Sequence, residues 1–95
     1  MNTGTSGLGN PSNYEIRLSP RAKRDLGGLS STDFRRVDGR INALAQNPRP
    51  YGVQKLWKQS HRIRVGPWRI IYLIDDDEHI VLVERVRRRD KDTYR

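Results

Sequence analysis

The chain has 95 residues, 34% hydrophobic and 32% charged, so it is long enough for one modest core and too short for two. It has no cysteine, which excludes disulfide bonds and thiolate zinc sites, and no apolar run long enough to cross a membrane. Its 19 Lys and Arg residues outweigh 11 Asp and Glu residues, and the net charge of +8 predicts a polyanionic partner, with nucleic acid favoured over a membrane surface.

The N-terminal residues 1–13, MNTGTSGLGNPSN, are mostly Gly, Ser, Thr and Asn with a single Leu. Such a segment buries too little apolar surface to offset its ordering entropy, so we expect a disordered tail. Residues 14–95 are expected to form a single domain. Because no apolar signal region precedes it, the expected location is the cytoplasm.

The next stretch predicts a strand followed by two helices. Residues 14–18, YEIRL, alternate in polarity, and Ser19-Pro20 then supplies an N-cap and a proline suited to the first helical position. Gly27-Gly28 ends this helix, and a second one begins near Ser30 or Ser31 and ends at Asn47-Pro48. The second helix has an apolar stripe at helical spacing, formed by Phe34, Val37, Ile41, Leu44 and Ala45.

Residues 61–75, HRIRVGPWRIIYLID, predict a β-hairpin, because apolar and charged residues alternate on both sides of Gly66-Pro67. A two-residue turn with Gly first sets Val65 opposite Trp68 and Arg64 opposite Arg69. The apolar members then share one face, which would pack against the core: Ile63, Val65, Trp68 and Ile70.

The opposite face of this hairpin carries Arg62, Arg64 and Arg69. Like charges directly across an antiparallel pair destabilise a sheet, so their pairing suggests a bound phosphate. The alternative is a solvated outer face on which long side chains splay apart.

The remaining segments complete the predicted sheet. Residues 54–57 form a short extended segment that brings Lys55 and Lys58 towards the hairpin, residues 69–74 form a central strand, and residues 80–86 form a last strand. The turn at residues 75–77 is acidic but lacks the alternating ligands and closing Glu of a calcium loop. The predicted fold class is α+β, an antiparallel sheet with two N-terminal helices packed on one face.

The sequence contains few of the usual catalytic side chains. His61 and His79 fall at strand edges, where a histidine is more often a surface residue than a base. No glycine-rich phosphate loop, Ser–His arrangement or metal-ligand cluster occurs, so we expect no cofactor and no metal. Arg, Lys and Tyr can still support RNA cleavage, because the 2′-hydroxyl of RNA is itself a nucleophile and arginine matches phosphate oxygens.

Three stretches, YEIRLSPRAKRDL, RIRVGPWRIIYLID and RVRRRDKDTYR, resemble the RelE/ParE superfamily of bacterial and archaeal toxins from toxin–antitoxin pairs. The resemblance extends from Tyr14 to the C-terminus and implies a RelE-like fold and a RelB-like antitoxin partner. RelE-like members enter the ribosomal A site and cut mRNA there, whereas ParE-like members inhibit DNA gyrase. We expect this chain to cut mRNA on the ribosome and to do so without a metal ion. The alternatives are gyrase inhibition and a non-catalytic, basic RNA-binding module.

The resemblance also implies the site residues. The RelE-type catalytic positions fall on Arg62, Arg64, Arg69, Arg89 and Tyr94. Arg88 is the alternative to Arg89, because the tail is one residue shorter than in some relatives. The first two positions are commonly lysines, and arginine gives up a proton less readily. Four further basic residues are expected to bind RNA: Lys55, Lys58, Arg87 and Arg88.

Overall fold

The computed structural model describes residues 13–88, which form two helices and a five-stranded sheet. In chain order the elements are β1 Glu15–Leu18, α1 Pro20–Gly27, α2 Ser31–Ala43, β2 Gln54–Trp57, β3 Ser60–Val65, β4 Trp68–Asp75 and β5 Ile80–Arg88. The predicted tail at residues 1–13 lies almost wholly outside the described residues. Within those that are described, neither helix is long and apolar enough to cross a membrane.

The strand order is β1-β5-β4-β3-β2, so the hairpin strand β4 is central, as predicted. The pairs β2–β3, β3–β4 and β4–β5 are antiparallel, and β1 pairs parallel with β5. The predicted α+β class is confirmed, but the sheet is mixed rather than wholly antiparallel. The sequence could not predict this direction, because the alternation of side chains along β1 shows which of them face the core and is the same whether β1 runs parallel or antiparallel to its neighbour.

Both helices begin at the predicted serine caps. The Ser19 hydroxyl accepts a hydrogen bond from the Ala22 N–H at 3.0 Å, and the Ser30 hydroxyl accepts one from the Asp33 N–H at 3.1 Å. Each cap satisfies one of the N–H groups that a helix start leaves without an intrahelical partner. The second helix ends at Ala43, four residues before the predicted Asn47.

One core joins the helices to a single face of the sheet. α1 contributes Ala22 and Leu26, and α2 contributes Val37 and Ile41 together with its C-cap residue Leu44. The sheet contributes Ile63, Val65, Ile70, Tyr72, Ile74, Val81, Val83 and Val86. The predicted packing of the α2 stripe against the hairpin is therefore correct for these residues.

Phe34 is the exposed member of the predicted stripe, and Ala45 is only partly buried. Phe34 lies in the first turn of α2 and is 39% exposed, whereas Val37, Ile41 and Leu44 are buried. The prediction that Phe34 is buried was wrong, because helical spacing defines a face but not how far along the helix the sheet beneath it extends.

Helix α1 also protects the edge of β5 beyond the end of β1. The Asp25 carboxylate accepts a hydrogen bond from the Val86 N–H at 2.9 Å and binds Arg85 at 3.0 Å. Although burial raises the pKa of Asp25, the hydrogen bonds from Arg85 and Val86 hold it below its ordinary value. This pairing turns an exposed strand edge into a covered one.

Candidate functional site

The hairpin turn forms as the sequence predicts. Gly66 has a φ of +58°, which a residue without a Cβ adopts readily, and Pro67 follows with its fixed negative φ. The pair therefore matches the mirror-image turn with glycine first. Val65 pairs with Trp68 and Arg64 with Arg69, so the predicted register of the two strands is confirmed.

A row of three arginines crosses the face of the sheet that the helices leave open. Arg64 on β3 lies opposite Arg69 on β4, which lies opposite Arg87 on β5. Adjacent strands are about 4.8 Å apart, so the three Cα atoms fall within roughly 10 Å. Arg62 lies on the same face, two residues before Arg64 along β3. We call these four residues the arginine row.

Three members of the arginine row form no ion pair among the described residues, although the charge of Arg87 helps to lower the pKa of Asp25. They are Arg64, Arg69 and Arg87, and within residues 13–88 the Nε of Arg69 is buried without a hydrogen-bond partner. Arg62 donates a hydrogen bond to the Gln54 side-chain oxygen. By contrast, Arg85, on the same strand as Arg87, forms an ion pair with Asp25. The row is thus a concentration of positive charge open to an anion.

Of the predicted tail residues, Arg87 and Arg88 lie on opposite faces of the sheet, and the others lie outside the described residues. Arg88 pairs with Trp68 on the helix-facing side of the sheet, where its guanidinium lies 5.7 Å from the indole ring centre. Arg88 therefore lies across the sheet from the arginine row. The predicted catalytic residues Arg89 and Tyr94 lie outside the described residues, and their roles remain predictions.

Lys55 and Lys58 do not lie beside the arginine row. Lys55 pairs with His61, whose side chain points to the core, and both lysines line a cavity of about 320 Å³ beside the acidic turn Asp75–Asp77. The Nζ of Lys58 also lies 5.6 Å from the Trp57 ring centre. Strand β2 brings these lysines to the hairpin as expected, because it pairs with β3, but its register turns Lys55 to the face opposite the arginines.

Asp76 of the acidic turn forms a local ion pair with Arg49. Asp76 accepts two hydrogen bonds from Arg49, at 2.9 and 3.2 Å, and one from the Tyr14 hydroxyl at 2.6 Å. These bonds, chiefly those from Arg49, lower the pKa of Asp76 to about 2. Within residues 13–88 no group of three or more His, Cys, Asp or Glu side chains could hold a metal ion.

The Asp76 pair predicts a pH-dependent contribution to stability. Because the folded pKa lies below the unfolded value, the pair stabilises the protein above about pH 4 and the effect is lost as pH falls towards about 2. Both side chains are about half exposed, so we expect Asp76→Asn to lower the free energy of unfolding by at most about 1 kcal/mol at about pH 7. Urea unfolding at about pH 7 and again near pH 2 measures this difference, and an equal deficit at both pH values would contradict it.

The two histidines differ in environment. His79 is exposed, as expected. His61 is 5% exposed and stacks on Tyr72 with ring centres 5.8 Å apart, and its Nδ1 lies 2.7 Å from the Gln59 carbonyl oxygen. The expectation of a surface His61 was wrong, because the residue belongs to the core-facing set of β3.

The sequence from residue 16 to residue 93 matches the family described as the ParE toxin of the type II toxin–antitoxin system parDE. The chain belongs to the RelE/ParE superfamily of toxins. A curated relative from Methanocaldococcus jannaschii, named as a RelE1 toxin, is 23% identical over 82 residues, covering 81% of this chain and 91% of the relative.

Several solved toxin structures have the same fold as this chain. The archaeal RelE–RelB complex from Pyrococcus horikoshii aligns with a TM-score of 0.76 and 21% identity, covering 83% of this chain and 98% of that one. The RelBE2 toxin–antitoxin complex from Mycobacterium tuberculosis aligns with a TM-score of 0.72 and 27% identity, covering 81% and 99%. The isolated Escherichia coli RelE toxin aligns with a TM-score of 0.74 and 19% identity, covering 85% and 90%.

Proposed function

We propose that this toxin is a ribosome-dependent endoribonuclease that cleaves mRNA and so blocks translation in the cytoplasm. The observation that carries the proposal is the arginine row on the open face of the sheet. Its cross-strand like charges lower stability in the free protein, and a phosphate between them would remove that penalty. Guanidinium groups suit this role because their planar donors match phosphate oxygens and stay charged when partly buried.

The proposed reaction uses the RNA's own nucleophile. The 2′-oxygen forms a bond to the adjacent phosphorus, the bond from phosphorus to the 5′-oxygen breaks, and the proton lost from the 2′-hydroxyl is balanced by one gained at the 5′-oxygen. The products carry a 2′,3′-cyclic phosphate and a 5′-hydroxyl. Arg64 and Arg69 stabilise the charge on the phosphoryl oxygens, and Tyr94 takes part in proton transfer by family resemblance.

Toeprinting of a translated mRNA with the purified toxin tests the proposal. A truncated transcript should appear only when ribosomes are translating it, and the new end should carry the cyclic phosphate. Cleavage of ribosome-free RNA at the same rate would show that the activity does not depend on the ribosome. No cleavage in either case would leave the two alternatives, a gyrase inhibitor and a non-catalytic RNA-binding module.

Affinity for RNA should depend steeply on salt if the arginine row binds phosphates. Neutralising about four phosphates of a single strand predicts a slope of roughly −3 in log affinity against log salt. Affinity for a short single-stranded RNA should therefore fall about 50-fold between roughly 50 and 200 mM salt, as measured by fluorescence anisotropy. Affinity that stays flat over this range would count against phosphate neutralisation.

The proposal includes a RelB-like antitoxin that inactivates the toxin. It is supported by the RelE–RelB and RelBE2 complexes among the similar structures and by the net charge of +8. An antitoxin should cover the arginine row or displace the C-terminal tail, with acidic residues and an amphipathic helix. A crystal structure of the complex checks this, and a partner that leaves Arg62, Arg69 and Tyr94 open and unmoved would refute it.

Inhibition of DNA gyrase is the second candidate, because the matching family is described as the ParE toxin. A gyrase inhibitor should act on purified gyrase and DNA without ribosomes and should cause DNA breaks. The two candidates are separated by testing one preparation in both assays. Activity on gyrase together with an uncut, translated mRNA would favour the second candidate.

A further inference from the structure

Strand β3 extends past its neighbour β2 and leaves a groove at the edge of the sheet. The last pair between the two strands is Gln54 with Arg62, so residues 63–65 of β3 have no partner strand on this side. A cavity of about 440 Å³ lies here, between β3, the connection after α2 and α2 itself. Its size falls within the range of small-ligand sites, roughly 300–1,000 Å³. We call it the edge groove.

The edge groove is strongly basic and continues the arginine row around the edge of β3. Arg62 and Arg64 line it from the strand, and Arg40 lines it from α2. Of the residues described, none that lines it is a carboxylate. An anion that lies on the open face can therefore meet further positive charge on α2 without crossing an acidic surface.

A second arginine of α2 lies close to the hairpin turn. A Cβ added to Gly66 would lie 2.9 Å from Nη2 of Arg36, so the turn accommodates this guanidinium partly because residue 66 is glycine. Arg36 and Arg40 are four residues apart on the helix, where like charges are mildly destabilising. Helix α2 thus presents Arg36 to the hairpin turn and Arg40 to the edge groove, at some cost to its own stability.

Tyr51 supplies an aromatic ring to this groove. It lines the cavity, it is fully exposed, and it precedes Gly52, which has a φ of +90°. The ring thus contributes nothing measurable to the core and is open to a ligand. A basic groove with an exposed aromatic ring is the arrangement by which proteins hold single-stranded nucleic acids, with phosphates on cations and bases stacked on rings.

We propose that the edge groove binds a nucleotide of single-stranded RNA that flanks the scissile phosphate, with its base stacked on Tyr51 and its phosphate held by Arg40. This inference rests on the proposed function, because Arg62 and Arg64 are shared between the groove and the proposed cleavage site. An acidic protein segment would satisfy the arginines but would not use the exposed ring. The combination of both features therefore favours RNA over an acidic peptide.

The contribution of Tyr51 is tested by fluorescence anisotropy with the full-length toxin and a labelled single-stranded RNA. Tyr51→Ala should weaken binding about 5- to 150-fold, the usual range for losing one stacked base. Tyr51→Phe keeps the ring and should bind like the parent. Neither change should alter folding, because the side chain is exposed. Parent-level affinity in Tyr51→Ala, or equal weakening in Tyr51→Phe, would overturn the proposal.

The contribution of Arg40 is tested against Arg35, an exposed arginine on the same helix that does not line the groove. Both alanine variants lose one positive charge. Arg40→Ala should reduce the magnitude of the salt slope by about 0.7, the value for one phosphate of a single strand, while Arg35→Ala should not. Equal changes in the two variants would mean that only net charge matters and would overturn the proposal.

A competition experiment and a cleavage assay complete the test. Oligoglutamate of the same charge should displace the RNA far less well than unlabelled RNA, because it has no base to stack; equal competition would assign the groove to acidic peptides. The binding assay contains no ribosome, so failure of this proposal leaves mRNA cleavage by the parent toxin intact. A toxin that does not cleave but loses RNA affinity in Tyr51→Ala and Arg40→Ala would keep the groove and refute the nuclease.

Discussion

Arg69→Ala should abolish most cleavage while leaving the fold intact. Arg69 is the central member of the arginine row, opposite Arg64 on one side and Arg87 on the other. Losing one preorganised donor to the phosphoryl oxygens typically lowers the rate by about 10²- to 10³-fold. The rate of ribosome-dependent cleavage, followed by toeprinting, measures this loss.

The melting temperature of the same variant should stay unchanged or rise. Each like-charge pair across adjacent strands is unfavourable, and the substitution removes two of them. It also removes a buried Nε that has no hydrogen-bond partner. If Arg69 served only to cover apolar surface with the aliphatic part of its side chain, the substitution would lower the stability instead.

The charge-matched control is Arg35→Ala on α2. Arg35 is exposed and lies outside the arginine row, so this variant should cleave like the parent. Chelation by EDTA should not affect the chemical step, provided enough magnesium remains to hold the ribosome together. An Arg69→Ala protein that is destabilised and fully active would contradict the assignment of the arginine row to catalysis.

Leu44→Ala should give the largest loss of stability. Leu44 follows the last turn of α2, is 1% exposed and belongs to the core that joins the helices to the sheet. Truncating a fully packed leucine costs about 2–5 kcal/mol, which is a large share of the roughly 5–15 kcal/mol that stabilises a small domain. The expected fall in melting temperature is at least about 8 °C.

Urea unfolding measures this effect, and Phe34→Ala on the same helix provides the comparison. Phe34 is 39% exposed, so its truncation should cost clearly less than that of Leu44 although the phenylalanine side chain is larger. If the two variants lost similar free energy, or Leu44→Ala lost almost none, the packing of α2 on this face of the sheet would be wrong.

The register of the hairpin was predictable because it depends on local chemistry. Gly-Pro selects a two-residue turn, and once the turn is set every cross-strand pair follows by counting. The opposition of Arg64 and Arg69 was therefore available from the sequence, as were the two serine caps and the buried face of α2. These features depend on residues near one another in the chain.

The third strand of the arginine row was not predictable in this way. Strict alternation from Val81 and Val83 would turn Arg85 and Arg87 towards the core. A β-bulge opposite the step from Ile71 to Tyr72 instead inserts an extra residue, so that Val86 is buried and Arg87 joins Arg69. A bulge is decided by how two distant strands pair, and it changes the face of every residue beyond it.

The sequence by itself determined the helix caps, the hairpin and its charged face, because each depends on near neighbours in the chain. Tertiary structure alone decided that β1 runs parallel to β5, that His61 is buried on Tyr72, and that Lys55 faces away from the arginines. It also brought Arg87 beside Arg69, and Arg40 and Tyr51 beside Arg62. These arrangements depend on contacts between residues far apart in sequence, which local polarity patterns do not encode.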